Sequence, residues 1–344
     1  MQSVSALVRP LQLRAVGPED GDALRELATQ RLLRRIDAAR LPDGYSARLR
    51  QSTDFESIEE DLADCDAGLV ALDADDVVTQ AVLWRDNSHP ITDQCGRLFA
   101  ALLESPPESE HATAPDNARA LRELLEAACA DLPDEINQLR ADISAHEQAG
   151  VLGEVFARAG FQEHNLVVRK LVTAPGPSAA LPPGAVFRPL DRDNEAEFAF
   201  AVGCIRTSIG QGLATEPVGE AEGGRLAEYT EAWLDGIDGE TLRSYVIEHE
   251  GELVAHALVS MTPAWCSAER EAMIVDILVP DAEQKGHGWS RLLTAQIERL
   301  VAQEGVRSLT ATVAALGGVR PRALLDNLQR AGWRVDTVTV LKRL

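Results

Sequence analysis

Apolar positions follow two alternating rhythms along this chain: short β-rich runs, and longer stretches with an apolar residue every three or four positions. Residues 11–16 predict a short strand around Arg14, followed by the polar turn Pro18-Glu19-Asp20 and a helix over 22–33. Residues 68–84 predict a hairpin, two β-rich runs around the acidic turn Asp73-Ala74-Asp75-Asp76. A strand over 97–103, a helix over 117–130, and a strand over 165–172 complete this half, the last introduced by Arg158-Ala159-Gly160-Phe161.

The same succession then returns. A strand over 185–190 with Arg188 precedes the turn 191–195 and a helix over 196–205, and residues 244–259 predict a second hairpin. Residues 271–280 form an apolar strand interrupted by Asp276. Residues 281–288 are polar and carry glycine, and the next helix has Leu293, Ile297, Leu300 and Val301 on one face and ends at Gly305. Arg330-Ala331-Gly332-Trp333 then introduces a strand over 335–341. Gly160 and Gly332 are 172 residues apart (332 − 160), and Arg14 and Arg188 are 174 apart (188 − 14). Matched elements in one order at nearly one offset identify a tandem duplication.

The Pro- and Gly-rich stretch 173–184 reads as a semi-rigid linker, which places the copies at 1–172 and 185–344. A strand, helices, a hairpin, then strand, helix, strand, helix, strand predicts an α/β (α+β) fold. Each copy then has a mixed central sheet flanked by helices.

Composition narrows the function classes. The net charge of −22 argues against a nucleic-acid partner, which needs a basic surface. The same field attracts cationic small molecules, although it also serves solubility. The five cysteines are widely spaced without a CxxC pair, and the seven histidines lack ligand spacing, so no metal site or disulfide framework is expected. No run approaches a membrane span and no secretory leader is evident. A soluble, cytoplasmic protein is the expectation.

A strand, a glycine-bearing turn and a helix N-terminus together make an anion site, because first-turn N–H groups lack backbone acceptors and the helix dipole favours negative charge. Residues 271–290 have that order. Lys285-Gly286-His287-Gly288-Trp289-Ser290 resembles the pyrophosphate loop of the GNAT N-acyltransferases, Arg/Gln-x-x-Gly-x-Gly/Ala. Lys285 stands at the Arg/Gln position, Gly288 at the first Gly, and Ser290 at the last Gly/Ala. The segments around Arg188 and around Gly160 and Gly332 resemble that family's first strand and its last helix and strand. The likeness spans both halves, as in two-copy members such as mycothiol synthase.

The resemblance implies an N-acyltransferase that takes acetyl-CoA, or another acyl-CoA, as co-substrate and transfers the acyl group directly to the amine of a small molecule, cationic amines included. It places Lys285, Gly286, His287, Gly288, Trp289 and Ser290 on the coenzyme. It places the backbone N–H groups of Leu278 and Val279 on the thioester carbonyl, where they would stabilise the oxyanion. A carboxylate serves as base for the amine, and Asp276 and Glu271 are the candidates. The family's usual acid, a Tyr on the last helix, corresponds to Leu328, so Tyr245, Tyr229 or a water would have to replace it. His256, in an apolar hairpin strand, reads more simply as a satisfied, half-buried core histidine than as a catalytic one.

The first copy has no glycine between Glu104 and Ala130, and its counterpart of the loop carries prolines and glutamates. It reads as a copy that has lost coenzyme binding and acts as scaffold. A non-catalytic acyl-CoA-binding or interaction protein with the same fold is the alternative reading, and a polypeptide acceptor a further one. A monomer or a homodimer suits either, with no membrane partner.

Overall fold

The computed structural model describes residues 12–39, 41, 43–72, 75–86, 95–99, 114–172, 180–213, 230, 234, 237, 240–262, 269–280, 288–314 and 322–344. The chain divides into two compact units: Met1–Ser88 with Gln94–Glu163 and Thr339–Leu344, and His89–Asp93 with His164–Val338.

The first unit contains β1 (Gln12–Ala15), α1 (Gly21–Ala38), α2 (Asp43–Gln51), α3 (Phe55–Ala63), β2 (Ala67–Leu72), β3 (Val78–Asp86), β4 (Cys95–Phe99), α4 (Ala114–Ala130), β5 (Gln138–Ser144), α5 (Ala145–Gln148) and α6 (Val151–Arg158). Its strands lie in the order β1-β2-β3-β4-β5, antiparallel except for the parallel pair β4–β5. Leu24 and Leu27 of α1 pack against Val70, Leu72, Ala81 and Leu83 of the β2–β3 hairpin.

The second unit repeats the plan. It holds β6 (Gln162–Leu171) beyond its first two residues, β7 (Ala185–Pro189), α7 (Glu195–Leu213), β8 (Leu242–His249), β9 (Glu252–Ser260), β10 (Ala272–Leu278), α8 (Trp289–Gln303), β11 (Ser308–Ala314), α9 (Arg322–Arg330) and the start of β12 (Arg334–Arg343). The order is β6-β11-β10-β9-β8-β7, with β10–β11 parallel. The mixed sheets and flanking helices expected from the repeat are present in both units.

Equivalent residues do equivalent work. The Arg14 guanidinium grips Asp20 through two bonds of 2.7 Å, and the same carboxylate accepts from the Gly17 N–H at 2.7 Å. The Arg188 guanidinium grips Glu197 through two bonds of 2.8 Å, and Glu197 accepts from the Asp191 N–H at 3.0 Å. In each unit an arginine at the end of the first strand thus fixes the start of the first helix. Hydrogen bonds from arginine hold both Asp20 and Glu197 below the usual carboxylate range. Gly160 and Gly332, at φ 89° and 90°, end α6 and α9 in the same way, with the next residue's N–H bonded back to Phe156 and Leu328 at 2.9 Å. Only glycine takes that backbone conformation without strain.

The units and the copies part company at their last strands. All of β6 from Asn165 to Leu171 pairs antiparallel with β11 in the second unit. The end of β12 belongs to the first unit, where Thr339 donates to Asp142 Oδ1 at 2.6 Å and the Leu344 N–H to the Asn137 carbonyl at 2.9 Å. Each unit therefore includes strand residues from the other copy.

Several elements differ from the sequence expectations in extent. The helix foreseen over 196–205 runs to Leu213, and the strand foreseen over 97–103 begins at Cys95 and is described to Phe99. The hairpin turn is tighter than its composition required: Glu250 and Gly251 both have positive φ, 54° and 84°, the two-residue turn whose twist matches the flanking strands.

Candidate active site

The site builds on β10, flanked by antiparallel β9 and parallel β11. Pairing with β9 passes from Ile274↔Val259 to Asp276↔Leu258, so Val275 is an extra, bulged residue. The bulge seats Val275 among Ile205, Leu234, Ile237 and Leu258 on the α7 side of the sheet. It also aims Asp276 at the same side, where Ser208 of α7 binds it.

On its other edge β10 pairs with β11 only over Ala272↔Leu309, Met273↔Thr310 and Ile274↔Ala311. Beyond that point β11 continues to Ala314 in register with β6, whereas β10 continues to Leu278. Residues 275–278 have no partner on β11. Two parallel strands that start together and then separate leave a wedge beside β10, whose backbone there takes partners other than β11. Leu278 and Val279, at the wide end of the wedge, have buried side chains.

Downstream, Gly288 caps α8 in the left-handed conformation, φ 74° and ψ 23°. A Cβ there would meet no atom of the described residues within 4 Å, so among them the backbone conformation alone calls for glycine. Glycine supplies no side-chain cap to the first turn of α8. Ser290 is exposed at that turn. Trp289 is 1% exposed, its ring 5.1 Å from that of His249, so its side chain is packing and only its backbone belongs to the helix end. Lys285, Gly286 and His287 lie outside the described residues.

The two candidate carboxylates have different surroundings. Glu271 is held by the Arg169 guanidinium, which also binds Asp336 Oδ1 at 2.9 Å, and accepts from the Ser308 hydroxyl at 2.6 Å. This ion-paired cluster is part of the sheet's framework. Asp276 Oδ1 accepts from Ser208 Oγ at 2.5 Å, and Oδ2 is buried with no partner. Burial pushes its pKa up to about 6, against the opposing effects of the Ser208 hydroxyl and the Ile277 N–H. A carboxylate so placed is a competent base near neutral pH.

His256 departs from the expectation of a satisfied, half-buried residue. It is fully buried, bonded to Ser244 Oγ through Nε2 at 2.8 Å, and its Nδ1 has no partner. Burial lowers its pKa to about 4, so the ring is neutral. The apolar strand sequence signalled the burial and not the missing partner.

Tyr245 lies in the cross-strand row Tyr245–Ala257–Ile277, on the opposite face of the sheet from the row Ser244–Leu258–Asp276. It is buried and stacked on Phe187 at 5.3 Å, and burial raises its pKa. Leu328 is half-buried on α9; Tyr229 lies outside the described residues. Ser208 and Arg169 were not foreseen. Ser208 fell beyond the expected helix, and the pairing of Arg169 with Glu271 joins residues 102 positions apart.

Among the described residues no group of side chains could hold a metal ion, and no helix is long and apolar enough to cross a membrane. In the first unit the equivalent parallel pair β4–β5 is in register over Cys95–Arg97, and the segment corresponding to the loop lies outside the described residues.

No protein-family model and no curated protein matches this sequence. Solved structures do. A GCN5-related N-acetyltransferase from Sphaerobacter thermophilus aligns over 97% of this chain and 95% of its own, at 15% identity and a TM-score of 0.56. A tandem GNAT protein from the clavulanic acid biosynthesis pathway aligns over 97% and 98%, at 16% identity and a TM-score of 0.50. A GNAT-family acetyltransferase from Colwellia psychrerythraea aligns over 97% and 99%, at 11% identity and a TM-score of 0.50. Likeness over the whole of both chains, including one that is itself a tandem protein, identifies the architecture: this chain has the tandem GNAT fold.

Proposed function

We propose that the protein is an acyl-CoA-dependent N-acyltransferase whose second copy carries the reaction, with acetyl-CoA or another acyl-CoA as co-substrate and the amine of a small molecule as acceptor. The observation that carries this reading is the parting of β10 from β11 after Ile274↔Ala311, directly upstream of a helix capped by a left-handed glycine. A thioester arm laid in that wedge would meet the edge of β10 over residues 275–278, which do not pair with β11, and the N–H groups near Leu278 and Val279 would polarise its carbonyl. The pyrophosphate would sit on the N-terminus of α8, with Gly288 and Ser290 beside it and Lys285, Gly286 and His287 completing the loop.

Asp276 is the base in this reading. It takes a proton from the acceptor ammonium, directly or through water. The neutral amine then attacks the carbonyl, and the tetrahedral intermediate gives the remaining extra proton on its nitrogen to water and collapses to amide and thiolate. Thiolate is a good enough leaving group for water to protonate it, so Leu328 at the usual tyrosine position does not prevent turnover. Glu271 supports the strand through Arg169. The strongly acidic chain, net charge −22, favours cationic amines.

The test is acyl transfer from acetyl-CoA across a panel of primary amines, followed as thiol release. Stoichiometric coenzyme binding with no turnover on any amine would instead establish the alternative, a coenzyme-binding protein without catalysis.

A further inference from the structure

Two buried polar atoms beneath α7 lack partners, Nδ1 of His256 and Oδ2 of Asp276. The strand register brings them together. Asp276 stands opposite Leu258, and His256, two residues earlier on β9, stands opposite Leu278. Both side chains therefore face α7 as diagonal neighbours on adjacent strands, a separation of about 7–8 Å that the two side chains can close toward each other. One atom can donate and the other only accepts. The His256 ring is neutral, and if Nε2 accepts the Ser244 hydroxyl, Nδ1 carries the proton and faces the side of the sheet that holds a carboxylate oxygen with a free lone pair. Leaving both unsatisfied in a buried layer is costly, so the two atoms have reason to be joined.

We propose that His256 is the positioning residue for Asp276, its Nδ1–H bonded to Oδ2 across a single buried water. Ser244, His256, Asp276 and Ser208 then form one hydrogen-bonded chain across β8, β9 and β10 to α7. Its effect is to hold the carboxylate in one orientation at the bulge and to favour its ionised form. The inference rests on reading Asp276 as the base only for its catalytic consequence, and the coupling itself can be observed without turnover. The other groups facing the carboxylate from the packed elements are Ser208 and Cys204 of α7, and the thiol stays neutral because burial pushes its pKa up to about 12.

The experiment uses the full chain with ¹³C-labelled aspartate carboxyls and ¹⁵N-labelled histidine rings, with Asp276→Asn assigning the Asp276 signal. The wild type should show a buried, neutral imidazole protonated on Nδ1 whose shift moves as Asp276 titrates. His256→Gln keeps a partner for Ser244 and loses the group at Nδ1, and it should raise the Asp276 titration midpoint. His256→Asn keeps a donor at the Nδ1 position and loses the Ser244 bond, and its midpoint should stay near that of the wild type. A purely structural histidine would give the reverse order of tolerance and no movement of the midpoint. A bare Nδ1 in the wild type, or a ring signal indifferent to Asp276 titration, overturns the proposal even if neither variant folds. If the coupling is present and Asp276→Asn leaves amine acylation intact, the role of Asp276 as base fails while the coupling stands.

Discussion

Burial gives Asp276 two separable responses to pH. Its pKa of about 6 in the folded chain exceeds the ordinary 3.8, so the native state binds the proton more firmly than the unfolded chain does. Keeping it ionised is destabilising, a cost absent below about pH 4, rising through the interval to about 6 and constant above. Asp276→Asn should therefore stabilise the protein at pH 8, by up to about 3 kcal/mol, with roughly half of that gain left at pH 5. Urea unfolding at the two pH values measures it. The same variant should lower kcat/KM for amine acylation by on the order of 10²–10³-fold. The wild-type profile should steepen below about pH 6, where the base protonates in addition to the amine. Arg14 and Arg188 give a matched pair of tests. Arg188→Ala leaves Glu197 buried without its cation, and Arg14→Ala does the same to Asp20. Each should lower the denaturant midpoint, since the acid keeps its place and loses its arginine.

At the scale of the element, the helix end at Gly288 and the wedge beside β10 are the parts on which the proposed function rests. Gly288→Ala should add the strain of a left-handed alanine, about 1 kcal/mol, because no atom of the described residues lies within 4 Å of the new Cβ. It should lower Tm slightly and leave coenzyme binding in place, which thermal melts with and without acetyl-CoA would show. The glycine-bearing helix start was legible in the sequence because the conformation requires glycine and the helix behind it is strongly periodic. The hairpins were legible for the same kind of reason, their turns falling on acidic and glycine residues. The bulge at Val275 was not. Nothing in Ile274-Val275-Asp276-Ile277 marks an extra residue, since the bulge is fixed by what Val275 packs against across α7. The fate of Glu271 was equally hidden, because its partner Arg169 comes from a strand of the first copy.

Across the whole molecule, the duplication was readable from paired arginines and glycines at nearly constant offset, and the fold followed from it. Membership of the last strands was not readable. The strands after Gly160 and Gly332 share one pattern, so either suits either sheet, and periodicity cannot say which edge each one covers. The structure puts β6 against β11 over seven paired positions. A fragment of residues 185–344 would expose the β11 edge from Ser308 to Ala314 and lose its hydrogen bonds. Such a fragment should be aggregated or unfolded by circular dichroism and gel filtration, and the full chain should be neither. A soluble, folded 185–344 fragment would contradict this account of the strands.

The most direct measurement is the thermal stabilisation of the full chain by acetyl-CoA, taken on the wild type and on Gly288→Glu, which sets a carboxylate where the pyrophosphate should lie. Ligand binding to the native state raises Tm with concentration. The wild type should show that rise, and Gly288→Glu should melt cooperatively and show none. A wild type indifferent to acetyl-CoA, or a variant stabilised as much as the wild type, would contradict the placement of the coenzyme at the start of α8.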